Sequence, residues 1–97
     1  LQKSTQEYLV ELGWYTEAKA MKDMNLAGWQ NKYTEVQKKL RNAILKDPTD
    51  INAMMLRVRC LIDTEQYAEA EEKCGYLKKE LQESLLEEIN KARNGGT

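Results

Sequence analysis

The sequence predicts an all-α fold of stacked antiparallel helical hairpins closed by a long C-terminal helix. Three observations predict it. The chain of 97 residues has no Phe and one Pro, and Leu, Ala, Glu, Lys and Gln outnumber the β-branched residues, so intrinsic preferences favour helix over strand. Apolar residues recur at three- and four-residue steps along most of the length. A short aromatic-acidic pattern also returns after 34 residues, from Tyr33 to Tyr67. The composition, 41% hydrophobic and 32% charged, suits one folded unit.

Ser4 and Glu7 have capping-box spacing and predict a helix start there. Tyr8, Leu9 and Leu12 form its apolar side, and Gly13 is the predicted stop. A second stretch runs from about Trp14 to Ala27 with Ala18, Met21 and Met24 at three-residue steps. Gly28 and the polar Gln30, Asn31 and Lys32 weaken it, yet Trp29, Tyr33, Val36, Leu40 and Ala43 make one continuous face, so the break falls either before Trp29 or after it. Asp47 and Pro48 end that helix, because proline disfavours helical geometry in the residue before it. Thr49 or Asp50 caps the next helix, Ile51 to about Asp63, which is apolar around much of its circumference. Beyond Thr64, Glu65 and Gln66, the face Tyr67, Ala70, Cys74, Leu77, Leu81, Leu85 and Ile89 reads as one long helix. Gly75 lies within it and admits a kink or a split, at a cost of roughly 1 kcal/mol relative to Ala. Asn94, Gly95 and Gly96 supply the final stop.

Tyr33, Thr34, Glu35 and Val36 are matched by Tyr67, Ala68, Glu69 and Ala70 one 34-residue period later, whereas Tyr15, Thr16, Glu17 and Ala18 lie 18 residues ahead of Tyr33 and out of register. With Leu40, Ala43, Asp47 and Pro48 following in order, the stretch from Asn31 to Leu77, about half of the chain, resembles the end of one tetratricopeptide repeat (TPR) and most of the next. The resemblance implies a TPR-like α-solenoid fragment: residues 1–30 an irregular N-terminal helical hairpin, 31–50 the end of one repeat, 51–82 a second repeat, and 83–97 an extension of the C-terminal capping helix. Met54 stands where the family has a large aromatic, and Arg57 and Val58 stand where it has Leu-Gly, so the first helix of the second repeat departs from the pattern.

For function, the resemblance implies an adaptor or scaffold that takes a partner peptide or helix in the groove of its repeats, with Asn52, Met55, Arg59 and Ile62 on the groove-lining side; a cytoplasmic setting is expected because neither a membrane span nor a signal peptide is visible. A guanidinium at Arg59 suits a carboxylate of the partner, or else pairs with a neighbouring acid of the chain. The clamp that some family members use for acidic chaperone tails is not reproduced by Asn52, Met55, Leu56 and Arg59. Structural self-association through the C-terminal helix, or a designed helical-repeat protein, is the alternative.

Enzymatic chemistry has little material. The chain has no His, and its two cysteines, Cys60 and Cys74, would leave a zinc site half-liganded, so no catalytic residue, metal or cofactor is expected. These thiols read as small apolar residues of a reducing compartment. Fifteen basic and sixteen acidic residues argue against nucleic acid as a partner. No apolar run is long enough for a membrane span, no signal peptide is visible, and a start at Leu1 reads as an excised piece of a longer chain.

Overall fold

The computed structural model describes residues 5–95. Five helices follow in order: α1 Thr5–Asp23, α2 Trp29–Lys46, α3 Ile51–Asp63, α4 Tyr67–Cys74 and α5 Lys79–Arg93. No strand occurs among the described residues. The chain forms two compact units, one up to Arg57 and the other from Val58, so α3 contributes to both.

In the first unit, α1 runs straight through Gly13, against the expected stop. A Cβ at Gly13 would meet nothing within 4 Å. The residue therefore lies on open surface, where its helical cost of about 1 kcal/mol is small beside the packing on the opposite side of the helix. Residues 14–23, expected as a separate stretch, belong to this same helix, so residues 5–23 do not form a hairpin. Of the expected capping box, Glu7 lies in the first turn of α1 and Ser4 lies outside the described residues.

Helix α1 ends on Asn25, whose φ of 52° is left-handed. The Asn25 N–H donates to Lys22 O at 2.9 Å and the Leu26 N–H to Met21 O at 2.9 Å, the nested pair of a Schellman ending. The break thus falls before Trp29, the first of the two readings. Helix α2 returns antiparallel to α1, because its later residues meet earlier ones. Lys22 lies over the Trp29 ring at 5.6 Å, Tyr33 meets Tyr15 edge-on at 6.4 Å, and Lys39 lies over the Trp14 ring at 5.4 Å. Ala18, Tyr33, Val36 and Leu40 are buried between the two helices, which accounts for the four- and three-residue steps read along α2.

A compact corner follows. Asp50 N–H donates to Asp47 O at 3.0 Å, and the Asp47 carboxylate accepts the Thr49 N–H at 3.0 Å and its hydroxyl at 2.6 Å. Between the two alternatives, Asp50 is the cap: its Oδ1 accepts the Ala53 N–H at 3.0 Å, and the residue is buried. Pro48 occupies the second turn position, where its fixed φ suits the bend.

In the second unit, α3 buries Val58, Cys60, Leu61 and Ile62 and ends in another Schellman pair, Glu65 N–H to Ile62 O at 3.0 Å and Gln66 N–H to Leu61 O at 2.8 Å. Here the left-handed position is held by Glu65, with φ of 61°. The stretch from Tyr67 onward, expected as one long helix in which Gly75 admits a split, is two helices. At Gly75, Tyr76 and Leu77 the N–H groups donate to Glu72, Lys73 and Cys74 three residues back, tightening the last turn of α4, and Lys78 then extends with ψ of 150°. Gly75 is not left-handed; its φ is −60°. What fixes the split is that Leu77 is buried and its carbonyl accepts the Gln82 side-chain amide at 2.6 Å.

Helices α4 and α5 are antiparallel: the Tyr67 hydroxyl donates to Ala92 O at 3.4 Å, and Arg93 pairs with Glu71 while lying over the Tyr67 ring at 5.8 Å. Ala70, Cys74, Leu77, Leu85 and Ile89 fill the space between them. Gly95, with φ of 85°, closes α5.

Candidate protein-binding surface

The four residues expected to line a groove are all on α3, and the structure gives them different surroundings. The Asn52 side chain donates to Glu11 Oε1 at 3.0 Å and reaches Tyr8 O at 3.5 Å. Arg59 Nη2 donates to Glu88 Oε2 at 3.3 Å, the in-chain pairing that was one of the two roles read for it. Ile62 is buried and Met55 is half-buried. Both polar members are therefore engaged inside the chain, Asn52 with α1 and Arg59 with α5.

The Asn52 contact explains an inversion in α1. Glu11 is only 2% exposed, and with Ala18 it marks the inward side of the helix, whereas Tyr8, Leu9 and Leu12, expected to be that helix's apolar side, are exposed. A carboxylate is removed from water only when it keeps hydrogen bonds, and Asn52 supplies one. At about 100° per residue, Thr5, Tyr8, Leu9, Leu12, Gly13 and Thr16 share one outward face. None of them is charged, and Leu9 is 60% exposed. Three neighbouring apolar side chains on an uncharged stripe differ from surface leucines scattered singly. The sequence marks Tyr8, Leu9 and Leu12 as the apolar side of this helix, but it does not show that they face outward, since the Asn52 that partners the buried Glu11 lies 41 residues away.

The remaining candidate chemistry is subdued. Cys60 and Cys74 are free and buried. Burial pushes the Cys60 thiol up to about 12, with Asp63 adding to the effect, and burial likewise raises Cys74, with Glu88 contributing. Neither forms a reactive thiolate near neutral pH. Among the described residues no helix is long and apolar enough to cross a membrane.

Comparisons of the chain with protein-family models, with curated proteins and with solved structures give no match.

Proposed function

We propose that this chain is a helical-repeat segment of TPR type that works by binding another protein, and that the outward face of α1 receives a helix of that partner. Two features support the repeat reading. Positions 34 residues apart share their burial, Val36 with Ala70 and Leu40 with Cys74. The α2 and α4 tyrosines, Tyr33 and Tyr67, each lie against an antiparallel neighbour, Tyr33 against the preceding α1 and Tyr67 against the following α5.

The binding role is carried by one observation: Tyr8, Leu9 and Leu12 face solvent on a charge-free stripe while Glu11 on the same helix is buried. Thr5, Leu9, Leu12 and Thr16 follow the four-three-four spacing of a helix-packing ridge, and Gly13 leaves room for close approach. Self-association through α5 has less to draw on, since Leu85 and Ile89 are buried within the chain.

Selection of displayed helical peptides against the chain tests the proposal. Enriched peptides are expected to bind the unaltered protein and to weaken at least tenfold against Leu9→Ser/Leu12→Ser. Loss on Met55→Ala or Arg59→Ala, with no loss on the α1 variant, would move the docking surface to α3; failure to enrich any peptide would sink the binding role.

A further inference from the structure

Helix α2 has a second distinctive face, independent of the one on α1. It carries five cations, Lys32, Lys38, Lys39, Arg41 and Lys46, against the single carboxylate of Glu35, in a chain whose net charge is −1. Two of the five are occupied: Lys32 pairs with Glu17 at 2.9 Å, and Lys39 pairs with Glu35 at 3.5 Å while lying over Trp14. Lys38, Arg41 and Lys46 are exposed and have no ion-pair partner among the described residues. Lys38, Arg41 and Leu45 fall at i, i+3 and i+7, on the side of α2 opposite the buried Tyr33, Val36 and Leu40, with Thr34 and Asn42 between them and Lys46 at the edge. Leu45, in the middle of this basic stripe, is 79% exposed.

We infer that this face of α2 binds an acidic amphipathic segment of a partner protein, whose carboxylates meet Lys38, Arg41 and Lys46 and whose apolar side chain covers Leu45. Charge complementarity selects the occupant. Neighbouring cations on one helix face repel one another in the isolated chain, and an exposed leucine between them gains nothing from water. An acidic segment relieves both. Membrane-surface helices present a broad band of Trp, Phe and Leu, whereas this stripe offers one leucine. Nucleic acid is disfavoured by the overall acidity of the chain and by a stripe of only three cations without counter-ions.

The test is fluorescence anisotropy with a labelled 18-residue synthetic helical peptide carrying Glu and Asp along one face around a single Leu, read against its Lys-for-acid counterpart at low and high salt. The unaltered chain is expected to bind the acidic peptide and not the basic one, with affinity falling as salt rises. Lys38→Glu/Arg41→Glu should weaken binding at least tenfold and Leu45→Ser about threefold, while Lys78→Glu/Lys79→Glu, which matches the charge change on α5, should leave it within twofold. Circular dichroism of each variant establishes that it is folded. Equal loss in the α5 control, no binding of the acidic peptide, or binding only to vesicles containing phosphatidylserine would overturn the inference. So would salt-sensitive self-association that Lys38→Glu/Arg41→Glu abolishes, since the occupant would then be a second copy of this chain.

Discussion

Replacing Glu65 with glycine should make the protein more stable. Glu65 has a φ of 61°, a left-handed conformation that crowds the Cβ of an L-residue against the following carbonyl at a cost of about 1–2 kcal/mol. Its side chain is exposed and has no hydrogen bond or ion pair among the described residues, so truncation forfeits little. Both hydrogen bonds of the turn, Glu65 N–H to Ile62 O and Gln66 N–H to Leu61 O, are main-chain bonds that glycine keeps. Against the relief stands the extra freedom glycine gives the unfolded chain, about 0.4–1 kcal/mol. The difference leaves a gain of about 0.5–1 kcal/mol, or a rise in Tm of roughly 2–5 °C for a chain of this size. Urea titration followed by far-UV circular dichroism measures it. Glu65→Ala keeps the strain and should stay within about 0.3 kcal/mol of the parent, and Glu65→Asn should fall between the two. A Gly variant less stable than the Ala variant would refute the reasoning, because it would mean that residue 65 is not left-handed in the folded protein.

Three other perturbations test separate parts of the fold. Gly13→Ala should stabilise by about 0.5–1 kcal/mol in thermal unfolding, since α1 passes through open surface there, whereas a loss of stability would restore the helix end expected at that glycine. Asp50→Ala should cost about 1–2 kcal/mol in urea titration through loss of the Ala53 cap, and Asp50→Asn should recover most of it, because an amide oxygen accepts the same hydrogen bond. Cys60, raised by burial to about 12, holds its proton in the folded state over a range where the unfolded chain, with a thiol near 9, has lost it. Its effect on stability is therefore constant below pH 9 and increasingly unfavourable from there to about 12. Cys60→Ala should show a shallower alkaline decline, and a thiol reagent at pH 8 should find Cys60 unreactive until denaturant is added; rapid native labelling would contradict the burial.

The elements readable from sequence are those whose determinants are local. Asp47 and Pro48 mark the end of α2, and the bounds of α3 follow from its cap and its apolar circumference, because each signal acts within one turn of the residue that carries it. The α2 core face was legible because Tyr33, Val36 and Leu40 repeat with helical period. Gly13 misled because a glycine on open surface need not end a helix, and the left-handed residue that ends α1 is Asn25. Gly75 did mark the split, though by another route than a left-handed turn: α4 stops there without any positive φ, through a tightened turn held by Leu77 and Gln82. The outward stripe on α1 was hidden for a longer-range reason, since periodicity locates an apolar face but cannot say whether a distant Asn52 will give Glu11, on the opposite face, a partner inside the fold.

The hydrogen bonds that shape the corner between α2 and α3 join residues at most four positions apart: Asp47 with Ala43 and Thr49, Asp50 with Asp47 and Ala53. Joints of this kind need no long loop to close before they form, so the entropy of bringing remote segments together is not charged to them. This bend should appear within the time of local turn formation, well ahead of the pairing of Asn52 with Glu11 across 41 residues. The direction in which the chain leaves α2 is then set early in folding, and the slower search for packed partners begins from a chain already bent at Pro48.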